Sequence, residues 1–207
     1  MKLMFLGPPG AGKGTIAVKL AAELNIPHIS TGDIIRAAIR NETVLGKKVK
    51  EIVESGKLVP DDLTNELVRE RLQQPDAKRG FILDGFPRTI PQAVALEKMS
   101  SLDRVINFEI AESLIIERLS GRRVHKSSGR TYHILFNPPK TENKDDVTGE
   151  ELWQRPDDQP DAISTRLQVY KAQTEPLIQY YEKKALLTNL DASPDAESVY
   201  SSLKQII

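Results

Sequence analysis

Gly7-Pro8-Pro9-Gly10-Ala11-Gly12-Lys13-Gly14-Thr15 follows directly on the apolar run Leu3-Met4-Phe5-Leu6 and leads into a helical pattern. Glycines and prolines of this order form a rigid turn whose backbone N–H groups can converge on an anion. The following helix adds the positive end of its dipole, and Lys13 adds a point charge. The polyphosphate of a nucleotide is the natural occupant. In the general motif a hydroxyl residue follows the lysine at once, whereas here Gly14 intervenes and the hydroxyl arrives at Thr15.

A second constellation is Gly80-Phe81-Ile82-Leu83-Asp84-Gly85-Phe86-Pro87-Arg88-Thr89-Ile90-Pro91-Gln92. An apolar strand that ends in a carboxylate puts Asp84 where Mg²⁺ or its waters would be held beside the phosphates. Gly85 allows close backbone approach, and the guanidinium of Arg88 suits a second phosphate.

The elements that must position these residues alternate. Strands are expected at 2–6, 27–29, 80–84, 104–109 and 187–191. Helical patterns occupy about 13–24, 31–40, 44–55, 61–73, 90–99, 112–120 and 160–184, and a last helix, about 194–206, is expected to use Ser193 as its cap and Pro194 as its first residue. Such alternation predicts an α/β protein with a parallel sheet covered on both faces. Two stretches break the pattern. Residues 30–59 read as consecutive helices without a strand, a small flap; residues 121–158 read as a β-rich insertion punctuated by Gly129, Asn137-Pro138-Pro139 and Gly149.

Composition narrows the partners. The 29 basic residues balance 29 acidic ones, so no global field favours nucleic acid or an anionic membrane. The absence of cysteine removes disulfides and thiolate metal sites. No apolar stretch reaches the roughly 18 residues of a membrane span, and the apolar start is too short for a secretory signal, so the expectation is a soluble, unexported protein.

Together the phosphate loop, Ser30-Thr31-Gly32-Asp33 with Arg36, Gly56-Lys57-Leu58-Val59-Pro60, Asp84 to Arg88, Ser120-Gly121-Arg122-Arg123 and Arg155-Pro156-Asp157-Asp158 resemble the adenylate kinases of the long-lid type over essentially the whole chain. The resemblance implies a P-loop core of five parallel strands flanked by helices, formed by residues 1–29, 60–120 and 159–207. It also implies an AMP-binding flap at 30–59 and a lid at 121–158. The activity implied is reversible phosphoryl transfer from Mg-ATP to AMP, giving two ADP, by a cytoplasmic monomer.

Carried over to this sequence, the resemblance places the ATP site at Gly10, Ala11, Gly12, Lys13, Gly14 and Thr15, with Arg118 against the adenine, Arg122, the Thr131-Tyr132 backbone, and the loop at Pro194. The AMP site would comprise Thr31, Arg36, Lys57, Leu58, Val59, Gly85, Phe86, Pro87, Arg88 and Gln92, with Arg155 and Arg166. Lys13, Asp84, Arg88, Arg122, Arg155 and Arg166 would act on the transferred group. Asp157 and Asp158 are read as orienting Mg²⁺ waters or as capping the next helix.

His125-x2-Ser128 and Asp145-x2-Thr148 match the ligand spacing of zinc-bearing relatives, but hydroxyls are poor Zn²⁺ ligands. The quartet is therefore expected to fasten the lid by hydrogen bonds, without zinc. His28 and His133, on strand-like runs, read as packed or surface residues. Two other readings remain: a kinase with another donor or acceptor, such as GTP with AMP, or ATP with UMP or CMP; and a non-catalytic nucleotide-binding regulator, against which the six charged groups weigh.

Overall fold

The computed structural model describes residues 1–207. Five parallel strands form the central sheet: β1 (Lys2–Leu6), β2 (His28–Ser30), β3 (Phe81–Asp84), β4 (Arg104–Glu109) and, last in the chain, β8 (Leu187–Asp191). Their order is β2-β3-β1-β4-β8. β1 thus lies between β3 and β4, and its carboxyl end opens at the point where the chain winds to opposite sides, the usual ligand crevice of such sheets. Phe5 is in register with Asp84, which brings the end of β3 beside the loop that leaves β1.

Alternation along the buried strands sorts side chains between the two faces. Leu3 and Phe5 pack with Ile16, Leu20, Phe108 and Leu203, under α1 (Lys13–Leu24) and α9 (Ala196–Ile206). Met4 and Leu6 face the other way, with Phe81, Leu83, Val68, Leu96, Leu177 and Tyr181, under α4 (Asp61–Leu72), α5 (Ile90–Met99) and α8 (Pro176–Glu182).

α2 (Thr31–Arg40) and α3 (Val44–Glu54) fill the first interruption of the alternation and share a small core of Ile35, Val49 and Val59. Beyond α6 (Glu112–Ser120), a separate antiparallel sheet has the order β6-β5-β7, from β5 (Arg122–His125), β6 (Thr131–His133) and β7 (Leu152–Trp153).

Two helices differ from the expected spans. The long pattern at 160–184 is divided into α7 (Pro160–Val169), a π turn at Tyr170–Thr174, and α8. Pro176 has no N–H and its ring would meet the carbonyl one turn back, so the helix widens ahead of it, with Glu175 N–H donating to Tyr170 O at 2.9 Å. The last helix is capped by Asp195, which accepts from the N–H groups of Glu197 and Ser198, and not by Ser193. The Ser193 N–H is held by Asp191 Oδ1 at 2.9 Å, a turn that keeps Ser193 and Pro194 outside the helix.

Candidate active site

Gly12, with φ of 87°, ends the loop after β1 in the left-handed conformation and is the residue before α1, so the first N–H groups of that helix face the crevice. Lys13 turns back over the loop and donates from Nζ to the carbonyls of Gly7 and Pro8, both at 2.8 Å. Burial pushes its pKa down to about 8, opposed by Asp84 and assisted by Arg88, Arg166 and Arg122, which all lie close enough to act on it.

Asp84 stands across from Gly14, whose Cβ position is 3.4 Å from Asp84 Oδ2. His28 Nε2 lies 3.3 Å from the same oxygen, an orienting contact across β2 and β3 beyond the packed or surface role expected from its strand-like run. Burial alone would raise the Asp84 pKa; the hydrogen bond from His28 and the charges of Lys13 and Arg88 lower it, so the carboxylate stays ionised.

Thr31, Arg36, Lys57, Leu58, Val59, Gly85, Arg88 and Gln92 come together with Arg166 and Asp157 around one cleft. Gly85, with φ of 77°, leaves its carbonyl to accept from Thr31 Oγ1 at 2.7 Å and Arg88 Nε at 2.8 Å; a side chain there would strike both partners. Burial and the nearby Arg166 and Arg36 lower the Arg88 pKa to about 10, and its guanidinium keeps its charge at neutral pH. Thr174, in the π turn, donates to the Arg88 carbonyl at 2.9 Å. Phe86 and Pro87, expected in the same site, do not line the cleft: the Phe86 ring is fully buried in the core, and Pro87, joined to it by a cis bond, is buried as well.

Arg122 and Arg166 are set by aspartates. Asp158, with no exposed surface, accepts from Arg122 and from Arg166, and Arg166 Nη1 also reaches Asp157 Oδ2 at 3.2 Å. Burial would depress the Arg122 pKa, but Asp158 outweighs it and raises the value. Asp158 is therefore a counter-ion, and neither aspartate caps α7, whose cap position is Gln159 with no side-chain bond. Arg155 is buried, and desolvation with the nearby Arg36 and Arg122 lowers its pKa to about 9.

Arg118 lies on the far side of the loop. Its guanidinium donates to the carbonyls of Ala192 at 2.9 Å and of Ser193 and Pro194 at 3.1 Å each, which fixes the orientation of its plane. Its Nη1 is 3.9 Å from the Cβ position of Gly12. Gly10 and Ala11 precede this turn, and Gly14 and Thr15 open α1. Thr131 is exposed on β6, while the buried Tyr132 points into the small sheet, its hydroxyl donating to Asp145 Oδ1 at 3.0 Å.

His125, Ser128, Asp145 and Thr148 meet in that small sheet. His125 Nδ1 is 2.7 Å from Ser128 Oγ and its Nε2 is 3.3 Å from Thr148 Oγ1, which donates to Asp145 Oδ2 at 3.0 Å. Spacing did not reveal two further members: Glu150, 2.5 Å from His125 Nε2, and Arg130, which forks onto Asp145 at 2.8 and 2.6 Å. His133 closes the base, packed against Gly121 and 3.2 Å from Glu117 O.

The arrangement is a phosphate loop and a second anion cleft joined by a shared group of cations. A family profile described as adenylate kinase matches residues 5–186. An adenylate kinase of Treponema denticola is 56% identical over 204 residues, covering 99% of this chain and 98% of that protein. Those of Carboxydothermus hydrogenoformans and Shouchella clausii are 52% and 50% identical, each over the full length of this chain and 99% and 98% of their own. With the loop, the cleft and the full-length similarity all in agreement, the chain belongs to the adenylate kinase family.

Proposed function

We infer that the protein transfers the terminal phosphoryl group of ATP to AMP and the reverse, forming two ADP. The observation that carries this reading is the adjacency of the loop and the cleft: Lys13, at the loop, lies within the electrostatic reach of Arg88 and Arg166, which line the cleft. A donor phosphate on the one and an acceptor phosphate on the other would face each other across these cations.

Transfer of a phosphoryl group asks for position and charge compensation more than for covalent help. In this reading the loop N–H groups and Lys13 hold the donor phosphates, Arg118 stacks on the donor base, and Arg36 with Arg88 clamps the acceptor phosphate. Arg122, Arg155 and Arg166 neutralise the group in flight. No general base is needed, since a phosphate monoester has its second pKa at about 6 and the attacking oxygen is already ionised. Asp84, an ionised carboxylate beside the phosphate loop, fits a Mg²⁺ that keeps most of its waters; when bound with ATP, the ion would supply charge neutralisation at the phosphates.

We read residues 30–59 as a flap over AMP and residues 121–158 as a lid over ATP, whose closure excludes water and so favours transfer to AMP over hydrolysis. No helix is long and apolar enough to cross a membrane. The family resemblance supports a cytoplasmic monomer. The test is ADP formation from Mg-ATP offered AMP, UMP, CMP, GMP or no acceptor. Conversion confined to AMP is expected. Transfer to a pyrimidine nucleotide would reassign the acceptor, and tight ATP binding without transfer would make the chain a regulator.

A further inference from the structure

Gln92, only 2% exposed, lines the acceptor cleft. A free glutamine is a poor judge of purines. Turning its amide by half a revolution exchanges Oε1 and Nε2, so the same side chain can serve a 6-aminopurine edge or the opposite donor and acceptor order of a 6-oxopurine. Discrimination requires that something prevent the turn.

In this structure both ends of the amide are held. Oε1 accepts from the Arg88 backbone N–H at 2.7 Å, and Nε2 donates to Asp61 Oδ1 at 2.7 Å. A backbone N–H can only donate and a carboxylate can only accept, so the turned amide would lose both bonds and set like against like. Asp61 is itself fixed. Its other oxygen accepts from Thr89 Oγ1 at 2.9 Å, and Thr89 caps α5 by accepting from the Gln92 N–H at 3.2 Å. One N–H and one lone pair of the amide remain, in a single order.

We propose that Asp61 is a specificity-determining positioning residue: by locking the Gln92 amide it makes the acceptor site read a 6-aminopurine and reject a 6-oxopurine. Asp61 acts through Gln92 and Arg88. The proposal rests on the reading of this cleft as the acceptor site.

The test compares kcat/KM for AMP and for IMP, which differ at the purine 6-position and the adjacent ring N–H, in the full-length protein and in Asp61→Asn. Asparagine can offer either an oxygen or an N–H to Gln92, so it releases the Nε2 end of the amide and leaves only the Arg88 N–H to resist the turn. The expected result is a fall of the AMP-to-IMP preference on the order of 10- to 100-fold, with the KM for ATP unchanged. A purely structural role would lower both acceptors alike and leave the ratio in place, which would overturn the lock while transfer to AMP stands. Failure of the wild-type protein to use AMP would instead overturn the functional reading and the lock with it. Asp61→Ser, which has no second oxygen to bridge Thr89 and Gln92, is the second variant; an unchanged ratio in either folded variant sinks the proposal.

Discussion

Asp158 holds Arg122 in a two-pronged ion pair, accepting from Nε at 2.7 Å and from Nη2 at 2.5 Å, and it does so with no solvent contact. The same carboxylate accepts from Arg166 Nη1 at 2.9 Å, so one buried anion sets the spacing of two guanidiniums from different elements. Asp158→Asn keeps the shape and removes the charge. The arginines then repel each other with only Asp157 left to compensate, and a loss in kcat on the order of 10²-fold is expected from their displacement. Steady-state kinetics check this; a kcat within about twofold of wild type would show that the pair only fastens the small sheet.

Lys13 carries a pH signature. Its folded pKa of about 8 lies below the ordinary 10.5, so between these values the unfolded chain holds more protons than the folded one. The charged ammonium therefore costs stability at low pH, and that cost is relieved as pH rises from about 8 to about 10.5. Bound polyphosphate restores the charge, so ATP binding should take up a proton at about pH 8.5 and scarcely any at about pH 7. Calorimetry in two buffers of different ionisation enthalpy reads the uptake directly, and Lys13→Met should abolish it. Equal enthalpies at the higher pH would refute the shift.

Asp145 predicts how the small sheet responds to acid. Arg130 beside it, with hydrogen bonds from Thr148 and Tyr132, holds its carboxyl far below the usual range. A depressed carboxyl contributes stability that is whole above the unfolded value of about 3.8 and drains away only as pH falls below it towards the folded value. The sheet should stay intact through mild acid, where ordinary carboxylates begin to titrate. Asp145→Asn removes the contribution at every pH. Trp153, the single tryptophan and part of β7, reports either change by fluorescence. An identical acid profile in wild type and variant would count against the network.

Gly46 marks a close approach of α3 to the backbone of α2. A Cβ there would lie 2.0 Å from the Ala38 carbonyl oxygen, a backbone atom with no rotamer to yield. Gly46→Ala should therefore pry the two helices apart. The KM for AMP is expected to rise on the order of tenfold, because Arg36 rides on α2, while the KM for ATP holds. Parallel titrations of the two substrates decide it, and a matched rise in both would point to general destabilisation.

What the sequence disclosed follows the range of each signal. The loop from Gly7 to Thr15, the strand before it, and Asp84 with Arg88 are contiguous, so residue type and order carried them. The α2–α3 pair and the small sheet were visible as interruptions of a regular alternation. Asp61 was not, because its partner Gln92 lies 31 residues away and an aspartate opening a helix has an ordinary local explanation. Asp158 was ambiguous for the same reason: its role depends on which of the chain's many arginines packs against it. In the last helix two cap-type residues competed, and the turn made by Asp191 decided for Asp195.

The wide turn at Tyr170–Thr174 works as an angular offset between two halves of one rod. One extra residue advances the side-chain azimuth by about 100°, since a regular helix takes 3.6 residues per revolution. Ahead of the turn, Ile163 and Leu167 mesh with Ile115 and Leu119; after it, Leu177 and Tyr181 mesh with the sheet. Thr174, bonded to the Arg88 carbonyl, pins the offset to the cleft that Arg88 lines. The rod thus keeps two surfaces in a common phase, and the direction in which Arg166 points is timed to the place where Arg88 stands.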